Sequence, residues 1–123
     1  MSSQTIHVQG VYAAVAVADL EAGIAWYEKF IGRPVDDRPI SGMAQWRDIG
    51  GAGLQLWEDA ERAGKSVMTI VTPELETEIT RLSGHGITAI NLASGGFGKV
   101  AQVFDPEGNR ISLAEPPPGY NGS

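Results

Sequence analysis

Hydrophobic and polar positions from residue 15 to residue 32 predict a strand followed by a capped helix. Val15 and Val17 alternate with alanines, which is the period-two pattern of a strand. Four apolar residues then recur at the spacing of one helix face: Leu20, Ile24, Tyr27 and Ile31. Asp19 is a favoured N-cap residue, and Gly32 suits the left-handed position that ends a helix. We therefore expect a strand at residues 11–17 and a helix at residues 19–31.

A weaker copy of this pattern follows 55 residues further on, over residues 69–86. Three apolar residues form the second helical stripe: Leu75, Ile79 and Leu82. Thr72 is the expected N-cap, and Pro73 suits the first helical position. The two halves also end alike, in Leu54-Gln55-Leu56 and Ile111-Ser112-Leu113. This repeat predicts two copies of one strand–helix–three-strand module.

The remaining pattern predicts the other strands and the boundary between the modules. Further strands are expected at residues 43–49, 52–58, 66–71, 87–92, 100–104 and 110–114. Residues 33–40 contain two prolines and are at best an edge strand, and residues 94–99 are expected to form a glycine-rich loop. Within a single domain we place module one at about 8–58, a charged linker at 59–65, module two at about 66–115 and a tail at 116–123.

Composition excludes several classes of function. The chain has 123 residues, of which 42% are hydrophobic and 20% charged, as in an ordinary soluble globular domain. A net charge of −6 argues against binding to nucleic acid, and the absence of cysteine removes disulfides, thiolate nucleophiles and zinc–sulfur sites. Neither a long apolar run nor a signal-peptide pattern is present, so we expect a cytoplasmic protein without membrane contact.

The order of these elements and the turn before the last strand resemble the vicinal-oxygen-chelate superfamily. The resembling segments are residues 15–20, 26–32, 54–56 and 104–111, the last of which reads FDPEGNRI. The superfamily includes glyoxalase I, bleomycin-resistance proteins, fosfomycin-resistance enzymes and extradiol dioxygenases. The resemblance covers about residues 11–115 and implies an α+β fold. In that fold two βαβββ modules form a glyoxalase/bleomycin-resistance-like pair of half-barrels, and we expect dimerisation to close it.

The resemblance also implies where a metal ion would bind. Metal-dependent members place ligands on the first and last strands of each module, and the matching positions are Tyr12, Gln55, Val67 and Ser112. Val67 cannot be a ligand, and Tyr12 and Ser112 are poor ligands for a divalent cation at neutral pH. His7 and His85 fall outside the register of the cavity. We therefore expect no metal, no cofactor and no catalytic residue.

The expected cavity instead suits an organic ligand, aromatic or cationic in character. The candidate ligand-binding residues are Tyr12, Trp46, Gln55, Trp57, Val67 and Ser112. Ala14 and Ala16 share the face of Tyr12, and their small side chains leave space. The strand parity of Trp46 is open, and we assign its side chain to the cavity. In the alternative interpretation, Tyr12, Trp46 and Trp57 fill the barrel as core residues.

Three functions follow from these interpretations. The first is metal-free binding of a small molecule, as in the bleomycin-resistance proteins that confer antibiotic resistance by sequestering a drug. The second is a glyoxalase-like lyase or isomerase, which needs a general base. Tyr12 is the best candidate for this base, although a weak one. The third is a structural or regulatory interaction domain with a filled barrel. In each case we expect a homodimer, because each module leaves a sheet face and an edge to be covered.

Overall fold

The computed structural model describes residues 5–119 and contains two modules. Module one consists of β1 (Tyr12–Val17), α1 (Leu20–Ile31), β2 (Met43–Ile49) and β3 (Ala52–Glu58). Module two consists of β4 (Val67–Val71), α2 (Leu75–Ser83), β5 (Ile90–Gly95), β6 (Gly98–Phe104) and β7 (Arg110–Glu115). The predicted α+β fold of two similar modules is confirmed. Neither of these helices is long and apolar enough to cross a membrane.

Each module forms its own sheet, with the strand order β1-β3-β2 in module one and β4-β7-β6-β5 in module two. In both sheets the first strand pairs in parallel with the last strand, and the other pairs are antiparallel. Module one lacks a full fourth strand, because the proline-containing stretch 33–40 pairs with β2 only through a bridge between Asp37 and Gln45. The expectation of at most an edge strand there is confirmed.

The helices cover one face of each sheet and enclose a core that runs through both modules. Val15 and Val17 of β1 alternate toward this core, as their spacing predicts. The Asp19 carboxylate caps α1 by accepting a hydrogen bond from the Ala22 amide, and Gly32 ends the helix at a φ of 96°. The sequence pattern therefore placed α1 and its face correctly.

The start of α2 differs from the expected cap at Thr72. The helix begins at Leu75, and the side chain of Glu74 at the N-cap position makes no capping bond. The Leu75 amide instead donates to the carboxylate of Glu115, at 2.8 Å. The Thr72 hydroxyl accepts a hydrogen bond from the Glu74 amide, so it acts in the turn just before the helix and does not cap it. The cap comes from the end of β7, so no local pattern could indicate it.

The prediction of a glycine-rich loop at residues 94–99 is wrong. β5 and β6 continue through this segment, with Ser94 opposite Lys99 and Gly95 opposite Gly98. Only Gly96 and Phe97 form the turn, and Gly98 adopts a φ of 103° that lets the chain reverse direction. The glycines here form a tight hairpin between paired strands. A segment this rich in glycine is also typical of an open loop, so the sequence alone does not separate the two.

The turn 105–109, which we call the latch, joins module two to module one. The Asp105 carboxylate is buried and accepts hydrogen bonds from the Tyr27 hydroxyl and the Asn109 side-chain amide, each at 2.8 Å. Asn109 is also buried, and its side chain donates to the Ala16 carbonyl at 2.9 Å. One buried carboxylate thus ties α1 of module one to the last hairpin of module two.

A second acidic residue of the latch acts at the start of α1. The Glu107 carboxylate accepts hydrogen bonds from the amides of Ala18, at 2.6 Å, and Asp19, at 3.0 Å. These amides precede the helix, where negative charge is favourable. At the other end of α1, the Arg81 guanidinium of α2 donates to the carbonyls of Lys29 and Phe30. Module two therefore supports both ends of the helix of module one.

The environment of Tyr27 predicts a loss of stability at alkaline pH. Burial, and next to it the Asp105 carboxylate, raise the pKa of Tyr27 far above its usual value. Above about pH 10 an unfolded tyrosine releases its proton while the folded one keeps it, so the unfolding free energy should fall by up to about 1.4 kcal/mol per pH unit. Urea denaturation at increasing pH should show a shallower decline for Tyr27→Phe, and equal slopes would contradict this expectation.

Candidate ligand-binding site

The sheet faces opposite the helices are uncovered in a single chain, and we call them the inner faces. The inner face of module one carries Tyr12, Ala14, Ala16, Gln45, Gly53, Gln55 and Trp57. The inner face of module two carries Val67, Thr69, Val71, Val100, Gln102, Phe104, Arg110, Ser112 and Ala114. Tyr12 is 38% exposed and Trp57 is 37% exposed, although both lie on ordered strands. Exposed apolar side chains grouped in this way mark surfaces that bind something.

The ring of Tyr12 packs directly on the backbone of Gly53, its partner on β3. A Cβ atom at position 53 would lie 2.4 Å from two ring carbons of Tyr12, so only glycine allows this arrangement. The glycine therefore holds an aromatic ring low against the sheet. This contact leaves room above the ring on the inner face.

A hydrogen-bonded chain of side chains crosses the inner face of module one. The Trp57 indole N–H donates to Gln55 Oε1 at 3.0 Å, and Gln55 Nε2 donates to Gln45 Oε1 at 3.2 Å. An indole N–H is only a donor, so the orientation of both amides is fixed by Trp57. Gln45 was missed in the sequence, although its alternation with the apolar Ala44 and Trp46 is a usable signal.

Module two repeats this arrangement with different residues. Thr69, Ser112 and Gln102 lie opposite one another on neighbouring strands, as Ala14, Gln55 and Gln45 do in module one. The Asn91 side-chain amide approaches Gln102 Oε1 at 2.8 Å. Each inner face therefore has polar side chains across its middle and apolar ones on both sides, with Arg110 among the flanking residues of module two.

The assignment of Trp46 to the cavity is wrong. Its side chain is fully buried in the core on the helix side, opposite Leu54, and its indole N–H donates to the Arg33 carbonyl at 3.1 Å. The alternation along β2 places Ala44 and Trp46 against the helix and leaves Gln45 on the inner face. Trp46 therefore lies neither in the cavity nor in a filled barrel, whereas Tyr12 and Trp57 stay partly exposed on the inner face.

The other five candidate residues divide between the two inner faces. Tyr12, Gln55 and Trp57 lie on module one, and Val67 and Ser112 lie on module two. The modules meet side by side, where the Ala16 amide donates to the Ser66 hydroxyl at 3.0 Å. A single chain therefore does not bring Gln55 and Ser112 face to face.

Three clefts lie near these surfaces. One, of about 460 Å³, is bounded by Ala14, Ala16 and Trp57 on the inner face and by Arg62 and Lys65 of the linker. A second, of about 490 Å³, is bounded by Tyr12 and Gly53 at the other end of the same face. A third, of about 560 Å³, opens between the modules and holds none of the candidate ligand-binding residues. The first two clefts therefore adjoin the expected site.

The donor set at the family's metal positions does not fit a metal ion. Val67 offers only hydrocarbon, and the hydroxyls of Tyr12 and Ser112 and the amide of Gln55 are neutral. Across residues 5–119 no group of three or more His, Asp or Glu side chains is placed to hold a metal ion.

Two sheets whose first and last strands run parallel define a glyoxalase/bleomycin-resistance fold, and the resemblance to the vicinal-oxygen-chelate superfamily is confirmed by solved structures. One of these is a glyoxalase/bleomycin resistance protein from Catenulispora acidiphila DSM 44928. It superposes with a TM-score of 0.80 at 28% identity, over 88% of this chain and 98% of that chain. No family model matches the sequence, and no curated protein matches it.

Two further structures with this fold are described as binding antibiotics. TnmS3, an antibiotic-binding protein from Streptomyces sp. CB03234, has a TM-score of 0.76 at 24% identity, over 94% of this chain and all of its own. A bleomycin-binding protein complexed with bleomycin has a TM-score of 0.71 at 16% identity, over 90% of this chain and all of its own. At these identities the likeness shows the fold.

Proposed function

We propose that this protein binds a small, flat organic molecule on its inner faces without a metal ion. The observation that carries the proposal is the partly exposed pair Tyr12 and Trp57 beside the oriented amide of Gln55. Ligand pockets are mostly apolar and aromatic, with a few polar groups that fix the orientation of the guest. The antibiotic-binding proteins with this fold support the proposal that the chain binds a small organic molecule.

The proposed site is completed by a second copy of the chain. In that homodimer the inner face of module one would lie over the inner face of module two of the partner. This would cover the exposed Val67 and Val71 together with the two aromatic residues. It would also bring Ser112 of one copy to Gln55 of the other, which a single chain does not do.

Sedimentation equilibrium should find a species of twice the 13.0 kDa chain mass at micromolar concentration. Val71→Asp, which adds a charge to the inner face of module two, should shift the protein toward monomer because a charge buried in an interface must be desolvated. Ile40→Asp is the matched control, since Ile40 is also exposed but lies outside the inner faces. A 13.0 kDa species at high micromolar wild-type concentration would contradict the homodimer.

Tryptophan fluorescence titration against a library of drugs and metabolites should identify ligands that quench the protein. Trp57→Ala should weaken their binding about tenfold, or about 1.4 kcal/mol, through loss of aromatic packing and of the anchor for Gln55. Trp26→Phe, which changes a helix residue stacked on Phe30, should leave the affinity unchanged.

Two results would count against the proposed site. Ligands that bind equally well to wild type and Trp57→Ala would lie elsewhere, such as in the cleft between the modules. Elemental analysis that finds one tightly bound metal ion per chain would contradict the metal-free proposal and favour a lyase or isomerase.

A further inference from the structure

The carboxylate of Asp37 stands out on module one. The residue is half-buried, and among residues 5–119 its Oδ1 is the single buried side-chain oxygen or nitrogen without a hydrogen-bond partner. A buried carboxylate oxygen without a hydrogen-bond donor is costly, so this oxygen calls for an explanation. Asp37 was not among the residues that the sequence indicated.

Backbone pairing places Asp37 on the inner face. The Asp37 amide donates to the Gln45 carbonyl at 3.3 Å, and the Gln45 amide donates to the Asp37 carbonyl at 2.9 Å. Residues directly opposite in an antiparallel pair point to the same face of a sheet. Gln45 in turn lies opposite Gln55, so Asp37 extends the polar row of module one by one strand spacing, about 4.8 Å.

The arginines near Asp37 in the sequence are all engaged by other groups. Arg38 pairs with Glu21. Arg33 donates to the Asp48 carbonyl and pairs with Asp36, and the Arg47 guanidinium approaches Asp36 at 3.9 Å. Among residues 5–119 no Lys or Arg forms an ion pair with Asp37, although three arginines lie close by in sequence.

We propose that Asp37 anchors a positively charged, hydrogen-bond-donating group of the ligand, such as a protonated amine or amidine. This inference rests on the proposed binding function and names the class of ligand: an organic cation whose flat part packs near Trp57. Because Asp37 is partly exposed, a charged donor that reaches its carboxylate would form a strong hydrogen bond with it. The amides of Gln45 and Gln55 lie between the two anchors and would face the middle of the same ligand.

Isothermal titration of the full-length protein with 9-aminoacridine and with acridine tests this assignment. The two probes share one flat ring system, and the amino compound is the hydrogen-bond-donating cation at neutral pH. Wild type should bind the cation about tenfold more tightly. Asp37→Asn should abolish that preference and leave the affinity for acridine unchanged. Glu61→Gln, which removes an exposed negative charge from the linker, should keep the preference.

Denaturation separates a binding role from a structural one. Asp37→Asn should not lower the midpoint of urea unfolding, because the replaced carboxylate oxygen has no hydrogen bond to lose. Equal affinity of wild type for both probes, or a preference that survives in Asp37→Asn, would overturn the assignment and leave the proposed function standing. If neither these probes nor a wider set of matched aromatic pairs binds in a way that Trp57→Ala weakens, the proposed function fails, and the assignment fails with it.

Discussion

Asp105→Ala should lower the free energy of unfolding by about 3–5 kcal/mol, because each buried donor left without an acceptor costs about 1–3 kcal/mol. The carboxylate accepts bonds from the Tyr27 hydroxyl, from the side chain and backbone amides of Asn109, and from the Glu107 amide. Its removal leaves these donors without an acceptor in the junction between the modules. Urea denaturation followed by circular dichroism measures the loss.

Asp59→Ala is the matched control for this variant. Asp59 also ends a strand and accepts hydrogen bonds from Arg62, but its partner is exposed and the pair lies on the surface. Loss of such a pair should cost no more than about 1 kcal/mol. Equal destabilisation of the two variants would mean that the latch contributes no more than a surface loop.

Gly98→Ala should be the second strongly destabilising change, with a cost of about 3 kcal/mol or more. At a φ of 103° an alanine is strained, and its Cβ would lie 2.1 Å from the Glu115 carbonyl oxygen. That oxygen belongs to the backbone of β7, so the conflict cannot be relieved by a side-chain rotation. Thermal unfolding should show the loss as a markedly lower melting temperature.

Gly96 offers a control in the same turn. Apart from its two chain neighbours, no residue has an atom within 4 Å of a Cβ built at this position, and its φ is outside the left-handed region. Gly96→Ala should therefore change stability by less than about 1 kcal/mol. A similar loss for both alanine variants would place the effect in the flexibility of the hairpin instead of in the contact with Glu115.

Periodicity predicted the elements whose contacts are local. The stripe from Leu20 along α1, the cap at Asp19 and the strands of module one follow directly from spacing and turn residues. The hairpin of β5 and β6 was missed because glycine is common both in open loops and in tight turns. The start of α2 was missed because its partner, Glu115, lies 40 residues away.

The candidate site could be predicted wherever the alternation of side chains along a strand was clear from the sequence. Tyr12, Gln55 and Trp57 lie on the inner face where counting placed them, whereas Trp46 was assigned against the alternation of its own strand. Asp37 gives no periodic signal, since it joins the sheet through one bridge within a proline-containing stretch. Whether Asp37 has an ion-pair partner depends on which carboxylates the nearby arginines bind, and composition does not specify those pairs.

The latch has a consequence for how the chain is made. The amides of Ala18 and Asp19 find their acceptor in Glu107, which lies 89 and 88 positions further on. A nascent module one leaving the ribosome therefore lacks the carboxylate that accepts these bonds until residue 107 has emerged. Contacts of such high sequence separation slow folding and prolong the exposure of apolar sheet faces. The start of α1 thus gains its native contacts only after the turn of the second module has been synthesised.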